Sequence, residues 1–142
     1  MDLLTMDLYY GKYESEEEQI EACHAALKLW QTLIYDGNYQ FFHCRIQTIY
    51  ITLALSYGKL QKCTETIEAF KNALYHAKCY DTLPEVEQHY TGAFVKAATS
   101  NTSGHTKNYT FTNVEDVKRF TKSKTFDFLR EDEDFIKLSR FI

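Results

Sequence analysis

The side chains of this chain best suited to metal or nucleophilic chemistry are its histidines and cysteines. Three pairs lie close in sequence: Cys23 with His24, His43 with Cys44, and His76 with Cys79. Adjacent residues on a helix point about 100° apart, so only His76 and Cys79 share a helix face. A catalytic cysteine also needs a lowered pKa and an aligned base, and no local pattern supplies them. We interpret these residues as packed thiols and helix-end histidines, and we predict neither a metal site nor a cofactor.

Two acidic runs are the other candidates for chemistry. Glu16–Glu18 and Glu131–Asp134 contain neighbouring carboxylates of the kind used in acid–base catalysis. Both runs lie where helices are predicted to begin, and the positive end of the helix dipole favours negative charge there. The sequence also has no Gly-rich phosphate loop, no Gly-x-Ser-x-Gly motif and no His-Glu-x-x-His motif. These patterns predict a protein that is not an enzyme.

The composition favours one helical globular domain. The chain has 142 residues, of which 44% are hydrophobic and 25% charged, with only 5 Gly and 1 Pro. So few turn-forming residues indicate long helices rather than a sandwich or barrel. The net charge of −4 disfavours DNA binding by this chain alone. We expect a cytoplasmic protein without membrane contact, because the apolar stretches are short, the first twenty residues are acidic, and the scattered cysteines suit a reducing compartment.

An internal repeat organises the first half of the chain. Leu4–Leu27 aligns without a gap on Ile51–Leu74, at an offset of 47 residues, and 11 of the 24 pairs are identical. In each copy a Tyr-Gly-Lys step, with Gly11 or Gly58 at its centre, separates two stretches that have apolar residues at three- and four-residue spacing. The pattern predicts helical hairpins that turn at these glycines. Such hairpins are similar to tetratricopeptide repeats, in which small residues let two antiparallel helices approach.

We therefore predict an all-α fold, a tetratricopeptide-like stack of antiparallel helical hairpins wound as a right-handed α-α superhelix. Hairpin one comprises residues 1–37, hairpin two residues 38–81, and a degenerate third unit residues 82–142, with a polar loop at 99–112. On the repeat register, the helix before Tyr10-Gly11-Lys12 would begin upstream of Met1. We therefore expect hairpin one to be truncated at its N-terminus and upstream residues to be missing.

Capping and breaking residues place the individual helices. Ser15 with Glu18 forms a capping-box pattern, and Asp36-Gly37-Asn38 is a stop signal. Pro84 suits the first turn of a helix. The predicted helices run from Ser15 to about Tyr35, from Tyr39 or Phe41 to Lys59, from Thr64 to Tyr80, from Pro84 to about Ala98, and from Asn113 to about Thr121. A last helix follows Phe126–Asp132 and ends at Phe141.

Polar residues on the middle helix are the candidates for a binding groove. On the repeat register, Arg45, Thr48, Thr52 and Lys59 would face the concave side of the stack, on a helix otherwise rich in Ile and Leu. Helical-repeat folds hold extended or helical peptides on that side. A solvated outer face would give the same pattern, so both interpretations stay open. His89 is a further candidate for contact with a partner.

Short motifs spread over nearly the whole chain resemble a known domain. They are His89-Tyr90-Thr91, Lys107-Asn108-Tyr109-Thr110, Phe126–Asp132 with Phe135, Tyr10-Gly11-Lys12-Tyr13, Ile34–His43, and Ala69–Leu74. Together they resemble the helical, tetratricopeptide-like C-terminal domain of Cro/CI (XRE) family helix-turn-helix transcriptional regulators of Firmicutes. In that family a DNA-binding helix-turn-helix unit precedes the domain, and no such unit is recognisable in this sequence.

The resemblance implies a non-enzymatic domain that senses an effector, dimerises, or does both. The effector would be a peptide, a small molecule or a protein, and DNA would be contacted only through an upstream helix-turn-helix domain. The alternative is a free-standing tetratricopeptide-like scaffold for protein interactions, unrelated to DNA. Lys107, Asn108 and Tyr109 are candidates for anchoring the polar loop onto the helices. A functional role for these three residues is the competing interpretation.

Self-association is the first testable expectation. We predict a homodimer, because a truncated, aromatic-rich helical stack leaves apolar surface that a second copy can cover. Light scattering at a concentration on the order of tens of micromolar, well above a typical specific dissociation constant, should give twice the mass of one chain. A monomer at that concentration contradicts the prediction.

Overall fold

The computed structural model of the chain describes residues 11–84, 87–97, 99–101 and 111–140, and this part is mainly helical. The bounds of its elements are α1 Glu16–Leu33, a 3₁₀-helix Gln40–Phe42, α2 His43–Lys59, α3 Cys63–Asp81, β1 Glu87–His89, β2 Thr99–Asn101, α4 Asn113–Phe120, a second 3₁₀-helix Lys124–Leu129, and α5 Glu133–Ser139. No helix among these residues is long and apolar enough to cross a membrane.

The first helix begins and ends close to the predicted positions. Ser15 caps α1, since its hydroxyl oxygen accepts from the backbone N–H of Glu18 at 3.2 Å. The Glu18 carboxylate accepts from the backbone N–H of Glu14 at 3.1 Å, so the return bond of the predicted capping box is displaced by one residue. Gly37, with φ of +77°, lies in the left-handed region that favours glycine, and it directs the chain away from α1.

The predicted hairpin of two long helices is present as α2 and α3. They pack against each other as an antiparallel pair and make the most extensive contact between elements in the described part of the chain. Ala54 of α2 and Ala73 of α3 are fully buried, and their small side chains let the helices approach closely. α3 runs from Cys63 to Asp81, so it extends one residue beyond the predicted helix at each end.

The turn of this hairpin lies downstream of the predicted glycine. Gly58 is buried inside α2, and the chain reverses over residues 60–62, where Gln61 takes a φ of +53°. Gly58 is required for a different reason, because a Cβ atom there would lie 2.7 Å from Cε1 of Phe126. The repeat therefore identified a constrained position, but the constraint is a close tertiary contact and not a turn.

An aromatic cluster joins the hairpin to the C-terminal segment. Phe70 of α3 packs edge-on against Phe126 of the second 3₁₀-helix, with ring centroids 4.8 Å apart. Phe135 of α5 lies 6.1 Å from both rings, and all three side chains are almost completely buried. Burial of this size stabilises each residue by roughly 1.5–3 kcal/mol.

A second aromatic cluster joins α1 to the segment after α3. The Trp30 ring lies 4.6 Å from the ring of Phe42, and Phe42 lies 5.6 Å from Tyr90. Trp30 and Tyr90 are buried. The cluster therefore covers the start of α2 from two directions.

The predicted helix from Pro84 to about Ala98 is wrong. β1 and β2 pair there as an antiparallel ladder, with Glu87 opposite Asn101, Gln88 opposite Ser100, and His89 opposite Thr99. β2 takes the first three residues of the predicted polar loop, and residues 102–110 of that loop lie outside the described residues.

Hydrogen bonds to a distant loop explain why this segment is not helical. Thr91 donates its hydroxyl to the Asp36 carboxylate at 2.5 Å. The Asn38 amide donates to the Thr91 hydroxyl at 2.9 Å and to the backbone carbonyl of His89 at 3.2 Å. A helix over this segment would use the His89 carbonyl in its own ladder. Tertiary bonding therefore overrides the local proline signal.

The C-terminal helices are short and strongly capped. Thr112, rather than Asn113, caps α4, because Thr112 and Glu115 exchange two side-chain-to-backbone bonds of 3.2 and 2.9 Å. Asp132 caps α5 by accepting from the backbone N–H of Phe135 at 3.0 Å. α5 ends at Ser139, and Phe141 lies outside the described residues.

Arg130 fixes the connection between α4 and α5. Its guanidinium donates to the carbonyl oxygens of Thr121 and Ser123 at 2.6 and 2.9 Å, and to the Asp127 carboxylate at 3.2 Å. Charge-assisted bonds of this kind are stronger than neutral ones. Arg130 therefore ties the second 3₁₀-helix, which contains Phe126, to the end of α4.

Gly58 gives a stability test of this packing. Gly58→Ala should lower the free energy of unfolding by about 1–2 kcal/mol, because overpacking costs roughly 1–3 kcal/mol and the better helix propensity of alanine returns at most about 1 kcal/mol. Chemical denaturation measures this change. In a Phe126→Leu background the same substitution should cost clearly less, and an equal cost in both backgrounds would contradict the proposed contact.

Candidate functional site

The polar row predicted on the middle helix follows one side of α2. Thr48 and Thr52 each donate the hydroxyl to the backbone carbonyl four residues earlier, at 3.0 Å. This bond is a common arrangement for threonine inside a helix, and it leaves the oxygen lone pairs available to accept. Arg45 and Lys59 mark the two ends of the row.

A cavity of about 440 Å³ adjoins the first half of this row. Arg45 and Thr48 line it from α2, Tyr80 from α3, and Asp116 from α4. Its volume lies in the range of small-ligand sites. Its walls combine a guanidinium, a hydroxyl, a carboxylate and aromatic rings, a set that suits binding of a polar organic group.

The N-terminus of α4 is held at this cavity by a partly buried polar network. The Asp81 carboxylate accepts from the backbone N–H groups of Asn113 and Val114, both at 2.9 Å. The Asn113 side chain donates to Oε1 of Gln47 at 2.9 Å, and Gln47 is buried in α2. Buried polar groups must be paired to avoid a desolvation penalty, so these bonds fix the position of α4 on α2 and α3.

The two charged side chains of the cavity, Asp116 and Arg45, lie in different environments. Burial raises the pKa of the Asp116 carboxyl, and the neighbouring carboxylates Asp81 and Glu115 add to this rise, while Arg119 opposes it. The Arg45 guanidinium lies 5.7 Å from the centroid of the Phe41 ring, which supports it by a cation–π contact. The cavity thus presents a positive group on one wall and a carboxylate of weakened acidity on another.

The second half of the row adjoins a cavity of about 490 Å³. Thr52 and Lys59 line it from α2, and residues 11–19 line its other side. The Lys59 ammonium lies 3.4 Å from the Glu16 carboxylate across this cavity. Both side chains are partly exposed, so this ion pair contributes little to stability.

A third cavity, of about 670 Å³, lies beside the first two. It shares Asp116 with the first and Leu55 with the second. Phe120 adds an apolar wall. The four predicted residues of α2 therefore line two neighbouring cavities, with Arg45 and Thr48 at the first and Thr52 and Lys59 at the second.

The other predicted residues do not belong to this surface. His89 lies in β1, and its backbone carbonyl accepts from Asn38. It lines none of the three cavities along α2. Lys107, Asn108 and Tyr109 lie outside the described residues, so their role as loop anchors stays a prediction.

A buried histidine pair is the feature that the sequence motifs did not reveal. Nδ1 of His43 and Nδ1 of His76 lie 2.9 Å apart, and both residues are buried. The pKa of each is lowered to about 4, for His43 by burial and for His76 by burial together with the nearby His43. Tyr39 and Tyr50 pack against the pair, with Tyr50 stacked on His76 at 5.7 Å. Both rings are therefore neutral at pH 7, with one donating to the other.

The hairpin geometry contained the signal for this pair. His43 and His76 are equally distant in sequence from residues 59–60, the end of α2, so antiparallel pairing places them opposite each other. Comparing each histidine only with its sequence neighbours, such as His76 with Cys79, hides this relation.

The surroundings of Cys23 and His24 in α1 indicate structural roles for both residues. Cys23 is completely buried, and burial raises the pKa of its thiol to about 11, so the reactive thiolate is absent at neutral pH. His24 is exposed, with Nε2 3.2 Å from the Tyr57 hydroxyl. Within the described ranges, no group of three or more His, Cys, Asp or Glu side chains is arranged to hold a metal ion.

The histidine pair predicts a specific pH dependence of stability. A folded-state pKa near 4, below the ordinary value of 6.5, means that the unfolded chain binds protons more tightly. The contribution is complete above pH 6.5 and is lost as the pH falls towards 4, at up to about 1.4 kcal/mol per pH unit for each histidine. Denaturant titrations at a series of pH values measure this slope.

A variant pair separates this effect from general acid unfolding. The double variant His43→Gln, His76→Gln should lose less stability between pH 6.5 and 4 than the wild type, whatever its stability at pH 7. His24→Gln, a change at the exposed histidine, should keep the wild-type slope. Equal slopes in the wild type and the double variant would exclude the histidine pair as the cause.

The sequence-based groove residues thus line two neighbouring cavities, while the histidine pair and the α4 network emerge only in three dimensions. No protein-family model, no curated protein and no solved structure matches this chain.

Proposed function

We propose that this chain is a non-enzymatic, effector-binding domain of a helix-turn-helix transcriptional regulator, in which it also mediates dimerisation. The observation that carries the proposal is the row of Arg45, Thr48, Thr52 and Lys59, which lines two neighbouring cavities along α2. The motif resemblance to the C-terminal domains of Cro/CI (XRE) family regulators supports the connection with transcription.

A tetratricopeptide-like superhelix is the arrangement that we propose for the helices. The sequence repeat between the α1 region and the α2–α3 hairpin supports it, as does the close packing of α2 on α3 at alanine positions. α4 lies against both α2 and α3, where the first helix of a third unit would lie. On this proposal the row on α2 lies on the inner side of the stack.

The chemistry of the first cavity favours an effector that carries a carboxylate next to a hydrogen-bonding group. The Arg45 guanidinium suits bidentate contact with a carboxylate, and the Thr48 oxygen and the Asp116 carboxyl suit a polar or amino group beside it. Short peptides and small amino or hydroxy acids have this combination.

A free-standing interaction scaffold is the second candidate, and one observation favours it. Tyr35 and Phe94 form an edge-to-face pair with centroids 5.9 Å apart, and they are 60% and 69% exposed. Exposed aromatic pairs are enriched at protein interfaces. A second copy of the chain would cover this pair equally well, as the regulator proposal requires.

Arg45 is the residue with which to test effector binding. A thermal-shift panel of short peptides and small carboxylates should contain a compound that raises the free energy of unfolding, by about 2.7 kcal/mol at one hundred times its dissociation constant. Arg45→Ala should weaken that compound's affinity about tenfold or more, because it removes a charge-assisted hydrogen bond. Thr52→Val should weaken the binding of a compound long enough to reach the second cavity.

The controls distinguish binding from folding. Arg140→Ala removes an exposed arginine from the end of the described chain and should leave affinity unchanged. The far-ultraviolet circular dichroism of each variant should match that of the wild type. Loss of helical signal in Arg45→Ala would show a structural role for Arg45 and contradict its assignment to the effector.

The connection with transcription needs a separate measurement. The native gene product, tagged at its own locus and cross-linked in cells, should enrich defined DNA fragments on immunoprecipitation. Enrichment no greater than that of an unrelated tagged protein would reject the regulator proposal and leave the interaction scaffold.

A further inference from the structure

A smaller cavity, which we call the tyrosine pocket, lies on the opposite side of α2 from the effector surface. Its volume is about 250 Å³, and its lining includes His24, Tyr50, Leu53, Tyr57, Glu65 and Glu68. The α2 members follow three- and four-residue spacing, about 150° around the helix from the Arg45–Lys59 row. The two sites are therefore separated by the body of α2.

Three helices build the pocket, each with a different chemical group. α2 supplies the two phenol rings, α3 supplies the carboxylates of Glu65 and Glu68, and α1 supplies the His24 imidazole. Glu65 and Glu68 lie three residues apart, so they share a face of α3. The pocket thus combines aromatic walls with two negative charges.

The phenol rings are held in place by contacts with other rings. Tyr50 stacks on His76 with an interplanar angle of 15° and a centroid distance of 5.7 Å. The Tyr57 hydroxyl lies 3.2 Å from Nε2 of His24. Burial raises the pKa of Tyr57, and the Glu65 carboxylate raises it further, which places that charge near the phenol. Rings that are already fixed lose little side-chain entropy on binding a ligand.

The charge pattern selects a cation. None of the described residues that line the pocket is a lysine or an arginine. Aromatic faces attract organic cations through the ring quadrupole, and carboxylates accept hydrogen bonds from ammonium groups. The Glu68 carboxylate already accepts from the ammonium of Lys71 at 3.2 Å, in an exposed pair whose lysine does not line the pocket.

The volume limits the size of that cation. Small-molecule sites usually measure roughly 300–1,000 Å³, so a cavity of about 250 Å³ accepts one alkyl chain with its charged head and not a drug-sized ligand. An alkylammonium group of four or five carbons has the required length and charge.

We propose that the tyrosine pocket binds an alkylammonium group, with its methylene chain between Tyr50 and Tyr57 and its ammonium donating to Glu65 and Glu68. The group is carried either by a free alkyl amine or by a lysine side chain of another protein. The site is independent of the effector surface, so its test and the effector test fail separately.

A nuclear magnetic resonance titration with pentylamine tests the pocket directly. Amide signals of Tyr57, Glu65 and Glu68 should shift and saturate with a dissociation constant of about 1 mM or tighter, while the amide of Arg45 stays unmoved. 1-Pentanol, which has the same chain without the charge, should bind at least fivefold more weakly. Nα-acetyl-lysine methylamide then stands for a lysine side chain of another protein, and spermidine stands for a free alkyl amine. The compound that binds more tightly identifies the source of the alkylammonium group.

Variants of the pocket should follow the same chemistry. Glu65→Gln and Glu68→Gln should each weaken pentylamine binding about two- to fivefold, and Tyr57→Leu should do the same by removing a ring. Glu17→Gln makes an equal charge change at an exposed site on α1, about two helical turns from His24, and should have little effect. Lys71→Met should tighten binding by releasing Glu68, whereas Lys78→Met, on the same helix, should not.

Three results would overturn the proposal. They are shifts that do not saturate at about 50 mM amine, equal affinity for pentylamine and 1-pentanol, and unchanged affinity in the double variant Glu65→Gln, Glu68→Gln. The dispersion of the amide spectrum shows in each case that the variant is folded.

Discussion

The close antiparallel packing of α2 on α3 is the constraint on which the rest of the structure depends. Small residues permit it, since Ala54 and Ala73 are fully buried at the contact and Gly58 leaves room for the Phe126 ring. A side chain of ordinary size at any of these positions would separate the helices or displace the C-terminal segment. The contact between His43 and His76, the aromatic cluster around Phe70 and the position of α4 all depend on this close approach of α2 to α3.

α2 lies between the other helices and has a candidate binding site on each of two opposite sides. One side has the row from Arg45 to Lys59 and adjoins two neighbouring cavities, and the other has Tyr50 and Tyr57 at the tyrosine pocket. The tyrosine side also stacks on His76, so the pocket and the buried pair share a ring. A central helix can divide its faces in this way because residues three and four apart lie together on one side.

Paired polar groups, rather than apolar burial alone, position the peripheral segments. The Asp81–Asn113–Gln47 network seats α4, Arg130 fixes the segment that carries Phe126, and Asp36 with Asn38 holds the strand segment at Thr91. Each of these bonds is directional, because donor and acceptor must be aligned and close to each other. Such bonds therefore specify one arrangement among several that would bury similar apolar area.

The sequence by itself determined the long helices, because apolar spacing, the Ser15 cap and the Gly37 stop act within a few residues. It also determined which polar residues share the side of α2 that lines the cavities. Only the tertiary structure decided that Gly58 accommodates Phe126, that residues 87–101 pair as strands, and that His43 meets His76. These outcomes depend on contacts between residues far apart in the chain, and contacts of that kind overcome local preferences worth about 1 kcal/mol or less per residue.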